Sequence, residues 1–229
     1  MIILITGAAG GIGSVTAQFF LDRGHEVHGM DLAKAPAALS GRDGYTHHLS
    51  DVTDPASFPE FSEGAEPEVL INCAGIQSPD DPERDIEVNL IGTINVTERF
   101  AIHNKKIRSV VMIGSASGHT GSEFPHYAAS KGGIYSYTKN VALRLAPRAI
   151  CNSIDPGGVR TELNRCVMDD AKMWNRIMEL TPLKRWAEPE EIAEWIYFVA
   201  VTNRFMTGQN LLIDGGEAGN AEFVWPESD

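Results

Sequence analysis

From one end of the chain to the other, short β-branched runs alternate with helical patterns. Ile2 to Thr6 ends in glycines and reads as a strand buried on both faces. A helix follows over Ser14 to Arg23, carrying Val15, Ala17, Phe19, Phe20 and Leu21, with Gly24 placed to stop it. Strand patterns recur at Glu26 to Met30, Val69 to Asn72, Val110 to Ile113, Ile150 to Ile154 and Asn210 to Ile213. Between them lie helical stretches from about Ile86 to His103, from Tyr127 to Leu145 and from Glu190 to Val201, the last opened by Pro189 and acidic residues that suit the positive end of a helix. Strands alternating with helices imply βαβ units, hence a parallel sheet with right-handed crossovers.

Composition narrows the class. The 229 residues are 43% hydrophobic and 22% charged, which excludes a disordered, fibrous or disulfide-stapled chain and predicts one domain over 1–229. A formal charge of −12 repels phosphate backbones and anionic membranes, so nucleic acid and membrane are not expected partners. Cys73, Cys151 and Cys166 lie far apart without metal-ligand spacing and read as buried thiols in a reducing compartment. No stretch approaches the ~20 apolar residues that span a bilayer, and MIILITG lacks the basic flank of a signal peptide. A cytoplasmic protein is the expectation. The histidines, His47, His48 and His126 among them, show no ligand spacing, so no metal site is expected.

The segment Thr6-Gly-Ala-Ala-Gly-Gly-Ile-Gly13 falls between the first strand and the first helix, where backbone amides can cradle a pyrophosphate against a helix N-terminus. The second strand leads into Asp31, where an acid can accept both hydroxyls of an adenosine ribose and repels a 2′-phosphate. Leu32 and Ala33 supply no guanidinium, and Lys34 is the nearest cation in sequence. The implied cofactor is NAD, and the implied fold is a Rossmann-like doubly wound parallel α/β sheet flanked by helices.

On these residues the chain resembles the short-chain dehydrogenases/reductases over nearly its whole length. The glycine turn matches their TGxxxGxG pattern through Thr6, Gly7, Gly11 and Gly13, with Ile12 between the last two, and through Gly10 it also fits the TGxxGxxG of the longer epimerase-like branch. Asp51 and Val52 match the pair that meets the adenine, and Asn72-Cys-Ala74-Gly75 matches the NNAG strand end, with Cys73 in place of the second Asn. Tyr127-Ala-Ala-Ser-Lys131 matches YxxxK, which puts a phenol and an ammonium on one helix face. A cation there favours the phenolate, as a general base requires.

Further matches complete the set that the resemblance implies. Ser115 stands for the serine that holds the substrate oxygen, with Ser117 a rival; Asn89 stands for the helix asparagine of a proton relay through the lysine. Asp155-Pro156-Gly157-Gly158-Val159-Arg160-Thr161 matches the PGxVxT turn at the nicotinamide and pyrophosphate, and Leu212 to Gly216 closes the pattern. The implied reaction is hydride transfer between NAD and a secondary carbinol. Tyr127 would be the acid/base, Ser115 would hold the oxygen, and Lys131 would bind the nicotinamide ribose.

Two spans are short for the family: thirteen residues between Gly75 and Asn89, and the stretch from Asp51 to Asn72. The flap, at about 160–188, carries Leu163, Met173, Trp174, Ile177, Leu180 and Trp186, which suits a small to medium apolar substrate or packs the flap down; His119, Glu123 and His126 precede the tyrosine as polar neighbours. The alternative is reduction of 3-oxoacyl chains on an acidic acyl carrier protein, which a chain at −12 repels unless Arg148, Arg160 and Arg165 form a patch. A nucleotide-sugar epimerase or dehydratase is favoured only by Gly10 and opposed by the length. Apolar residues on the Glu190 to Val201 helix exceed one sheet-facing stripe, so the expected assembly is a homotetramer.

Overall fold

The computed structural model describes residues 1–121 and 124–219. Seven strands form one parallel sheet: β1 (Ile2–Thr6), β2 (Glu26–Asp31), β3 (Tyr45–Leu49), β4 (Val69–Asn72), β5 (Ser109–Ile113), β6 (Ile150–Pro156) and β7 (Asn210–Ile213), in spatial order 3-2-1-4-5-6-7. Register pairs Thr6 with Met30 on one side and with Asn72 on the other. The strand order reverses between β1 and β4, which opens a crevice at the carboxyl ends of the strands.

Both faces of the sheet are dry, and alternate residues of each inner strand serve different cores. Ile3, Ile5, Val69, Ile71 and Val111 pack with Phe20 of α1 (Gly11–Leu21) and with Ile192, Ile196 and Val199 of α7, the helical run 189–202. Leu4, Leu70, Val110 and Met112 pack instead with Val96 and Phe100 of α2, the helical run 83–102, and with Ile134, Val141 and Leu145 of α4 (Pro125–Leu145). Each such fully buried side chain contributes about 1.5–3 kcal/mol of transfer free energy. Short helices α3 (Ala116–Thr120), α5 (Arg165–Met168) and α6 (Ala171–Leu180) complete the chain. No helix among the described residues is long and apolar enough to cross a membrane.

Several boundaries differ from the sequence reading. The strand β3 goes unpredicted because Tyr-Thr-His-His-Leu has no apolar face; among the described residues it pairs only with β2, at the sheet edge, where His48 stacks on His28 at 5.3 Å and Leu49 is exposed. The first helix starts at Gly11, three residues before the expected Ser14, because the glycine turn itself supplies its N-cap, Gly10. It stops at Leu21, and Gly24 takes a positive φ of 75° just beyond. The helix expected near Ile86 begins at Glu83, while α3, too short to show periodicity, is capped by the Ser115 side chain and ended by Gly121 at φ 67°. The acidic tail after Gly219, and Glu123, lie outside the described residues.

Candidate active site

The crevice is a cleft of about 900 Å³ that runs from the glycine turn across the switch point to the flap. Close packing dictates the glycines. Gly7 sits at φ 67°, and a Cβ on it would come 2.8 Å from the Ala74 backbone. On Gly13 a Cβ would lie 2.1 Å from the Gly7 carbonyl oxygen, and on Gly11 2.6 Å from Cγ2 of Thr161. The turn is therefore wedged between the ends of β4 and β6, and it presents Gly11, Ile12 and Gly13, the first turn of α1, to the cleft. That helix opens with no acidic residue in its first turn, leaving the positive end of its dipole to a ligand's phosphates.

Asp31 ends β2 beside the glycine turn. Its Oδ2 accepts from Ala9 N–H and its Oδ1 from Ala33 N–H, both at 2.9 Å, so the carboxylate is fixed in place with further lone pairs toward the cleft. Beside it Asp51 accepts from the amide (2.8 Å) and hydroxyl (2.7 Å) of Thr53 and lies 3.8 Å from Arg84. Burial disfavours the Asp51 charge, but the Thr53 hydrogen bonds and the Arg84 guanidinium outweigh it and hold the carboxyl below its ordinary range. Val52 also lines the cleft and packs against Gly92.

At the end of β4 the expected residues divide. Ala74 and Gly75 line the cleft, and the amides of Cys73 and Ala74 both donate to Thr6 Oγ1 at 3.1 Å. Asn72 turns away: it is buried toward α2, where its amide donates to Thr97 Oγ1 and Met112 Sδ. Asn89 does not reach the cleft wall either. Its Oδ1 accepts from Ile76 N–H while Nδ2 donates to Ile76 O and Ser130 Oγ, so both amide hydrogens are engaged within the protein and the side chain clamps the loop after Gly75 from below.

Ser115, Tyr127 and Lys131 line one wall. Lys131 is 5% exposed; its Nζ donates to Ile113 O at 2.9 Å and lies 5.7 Å from the Tyr127 ring centroid, the reach of one helical turn. Ser115 Oγ accepts from Ser117 N–H at 3.2 Å, and Ser117 lines the cleft as well. The turn after β6 brings Pro156, Gly157, Val159 and Thr161 to the same space; Gly157 N–H donates to Ile213 O, and Val159 bridges Ala187. A Cβ on Gly157 would come 2.8 Å from Asp214 Cα, so the Leu212 to Gly216 segment backs this turn.

Several cleft residues escaped the sequence reading as site residues, Arg84, Gln77 and Glu217 among them. Arg84 stands in the shortened span before Asn89, where no motif applies, and Gln77 and Glu217 are single polar residues in loops. Of the cysteines, Cys73 lines the cleft with its thiol pushed up to about 12 by burial, Cys151 is buried, and Cys166 is exposed on α5, contrary to the expectation of three buried thiols.

A family model described as enoyl-(acyl carrier protein) reductase matches residues 7–217. The chain belongs to the short-chain dehydrogenase/reductase family. A 3-oxoacyl-[acyl-carrier-protein] reductase FabG of Thermotoga maritima is 34% identical over 241 residues, 94% of this chain and 96% of that protein. An uncharacterized short-chain type dehydrogenase/reductase of Sinorhizobium fredii is 34% identical over 239 residues, but the chain spans only 43% of its length. Two solved structures superpose closely: 4-hydroxyisoleucine dehydrogenase complexed with NADH (TM-score 0.88, 29% identity, 96% of this chain and 99% of that one) and ElxO with NADP bound (TM-score 0.86, 26% identity, 96% and 99%). This short-chain dehydrogenase/reductase is an NAD(P)-dependent oxidoreductase acting on CH–OH groups. Among its described residues no group of three or more His, Cys, Asp or Glu side chains is arranged to hold a metal ion.

Proposed function

We propose that the protein interconverts a secondary alcohol and a ketone of small to medium, apolar character, with NAD as the hydride carrier. The observation that carries this reading is one continuous cleft holding the glycine turn and Asp31 at one end and Ser115, Tyr127 and Lys131 at the other. The glycine cradle, which side chains would fill, fits a dinucleotide: Gly7, Gly11, Ile12 and Gly13 would take the pyrophosphate, Asp31 the adenosine ribose, Asp51 and Val52 the adenine, and Lys131 the second ribose. Ala74, Gly75, Pro156, Gly157, Val159 and Thr161 would wall the dinucleotide on its other side. Bound there, NAD supplies the carbon that accepts or returns the hydride.

The protein's own part is proton and charge management. In oxidation Tyr127 takes the hydroxyl proton at its phenolic oxygen, and in reduction returns it. Ser115 donates a hydrogen bond to the substrate oxygen, which fixes the carbinol carbon for transfer. The Lys131 ammonium, held by Ile113 O, stays one turn from Tyr127. Asn89 contributes by clamping the backbone of Ile76.

Substrate class follows from the flap, assigned to about 160–188 within one catalytic unit spanning 1–229. Leu163, Met173, Leu180 and Leu183 are exposed there, and Leu163 and Trp186 line the cleft. The FabG relative favours a second reading, 3-oxoacyl thioester reduction. Against it, each of the three arginines is engaged elsewhere: Arg160 pairs with Glu188, Arg165 pairs with Glu162, and Arg148, just before β6, donates to the carbonyls of Ile102 and Asn104. The length of β6 sets Arg148 about 20 Å from the cleft edge, at ~3.3 Å per residue. A panel of 2-butanol, cyclohexanol, 2-octanol and a 3-oxoacyl thioester, followed by NADH absorbance, separates the two. Turnover of alcohols supports the first reading, and turnover of the thioester alone supports the second.

We also propose a homotetramer. Trp195 and Phe198 on α7 are 43% and 44% exposed, and Phe205 and Leu212 are exposed near them in the chain. Sedimentation that gives a monomer at micromolar concentration refutes this.

A further inference from the structure

The mechanism leaves three polar side chains behind Ser115 without a role. Asp155, on β6, is 0% exposed and its Oδ2 lies 2.8 Å from Nε2 of His119 on α3. The His119 ring stacks on Tyr135 of α4, with centroids 4.3 Å apart and planes inclined at 31°. The Tyr135 hydroxyl in turn donates to the main-chain carbonyl of Ser115. Three elements thus converge on one peptide group, and two glycines make the room. A Cβ on Gly114 would come 2.1 Å from Asp155 Oδ1, and one on Gly118 would come 2.8 Å from the Tyr135 oxygen.

Such a set is a costly way to fill a core. A buried carboxylate is worth keeping over an aliphatic side chain of equal volume only where direction matters, since apolar replacements of buried ion pairs are often neutral or stabilising. Here the direction is toward Ser115. That residue is the N-cap of α3, held in extended backbone (φ −167°, ψ 149°), and among the described residues its Oγ accepts from the Ser117 amide at 3.2 Å. Displacement of the 115–116 peptide that carries the Cα of Ser115 with it would move the hydroxyl away from a substrate oxygen. The other end of the set, Asp155, is bonded to Pro156, which lines the cleft beside Gly157.

We infer that Asp155, His119 and Tyr135 form a positioning relay that fixes Ser115 at the substrate oxygen and ties it to the Pro156–Gly157 turn. The inference rests on the proposed role of Ser115. It concerns geometry, so its signature is a loss of kcat with cofactor binding intact. A displacement of about 1 Å at a reacting group costs up to on the order of 10²-fold.

The test uses the full chain, the fastest alcohol of the panel above, NADH fluorescence titration and amide hydrogen exchange over residues 116–120. Tyr135→Phe keeps the ring on His119 and removes only the donor. It should lower kcat about tenfold or more, leave KM within about threefold and NADH Kd within about twofold, and speed exchange at 116–120. Asp155→Leu should behave like it, whereas Asp155→Asn, which keeps an oxygen acceptor for His119, should retain at least about a third of the turnover. Turnover of Tyr135→Phe within about twofold of the parent overturns the inference. So does a parallel fall in kcat, NADH affinity and melting temperature, which marks a packing defect. If the parent oxidises no alcohol, the functional reading fails on its own account, and the exchange measurement decides: unchanged exchange at 116–120 in Tyr135→Phe overturns the relay.

Discussion

Replacing Asp31 by Asn removes one charge and keeps the shape of the side chain and an oxygen for the Ala9 or Ala33 amide. A 2′-phosphate carries a charge of about −1.5 to −2 at neutral pH. At a separation of about 5 Å and an effective dielectric of about 20, each unit pair repels by about 3 kcal/mol, and a Debye length of about 8 Å removes roughly half. With 1.5 charges on the phosphate, the carboxylate should cost NADPH about 2–3 kcal/mol relative to NADH, roughly 30- to 150-fold in Kd. Calorimetric titration with both dinucleotides measures the ratio directly. Asp31→Asn should bring NADPH to within about tenfold of NADH, and raising the salt from about 0.05 to 0.5 M should shrink the parent's preference, because the repulsion is screened. Equal affinities in the parent, or an unchanged ratio in Asp31→Asn, would refute the reasoning.

Tyr127→Phe should leave the fold and NADH affinity nearly unchanged and lower kcat by at least about 10²-fold, the lower end for a general acid/base; retention of more than about a tenth of the turnover sinks the assignment. With a thiol-specific chromogenic reagent, exposed Cys166 should react at once, half-buried Cys73 far more slowly because its thiol is pushed up to about 12, and buried Cys151 only on unfolding. Early release of a second equivalent contradicts this. Glu191 is held down to about 2 by the Arg185 guanidinium and by the Glu188 amide that closes the capping box of α7. A depressed acid stabilises the folded state above its unfolded pKa, so this contribution should fade as pH falls from about 4.5 to about 2. Chemical denaturation monitored by circular dichroism should show a smaller acid-induced loss in Glu191→Gln than in the parent.

What the sequence disclosed, and what it withheld, follows from where the constraints act. The runs Ile2 to Thr6 and Val69 to Asn72 read as inner strands because both of their faces meet a core, and apolar residues fill every position but the last of each. By contrast β3 has one strand neighbour and satisfies itself with polar contacts, such as Tyr45 OH to His47, so it leaves no periodic trace. The glycines were legible as a turn, yet the reason for Gly11, the methyl of Thr161, lies 150 positions further along the chain. Asn72 and Asn89 stand at the expected places in the pattern, and what the pattern does not display is their contacts, Asn72 Nδ2 on Thr97 and Met112 and Asn89 on Ile76 and Ser130. Arg84 and the Asp155, His119 and Tyr135 set depend on contacts between segments far apart, which one sequence does not display.

Because every strand points the same way, all seven deliver their last residues to one edge of the sheet, and the reversal between β1 and β4 sorts those residues into two groups. The strand ends from β1 to β3 carry the glycine turn, Asp31 and Asp51, whereas the ends from β4 to β6 lead to Gly75, Ser115 and the Pro156 turn. On the proposed reading, the half-sheet of β1 to β3 sets the adenosine end of the dinucleotide, and the half-sheet of β4 to β6 sets the reacting end. Such a protein can acquire a new substrate and keep its cofactor, or exchange the cofactor and keep its substrate, by substitutions confined to one half-sheet.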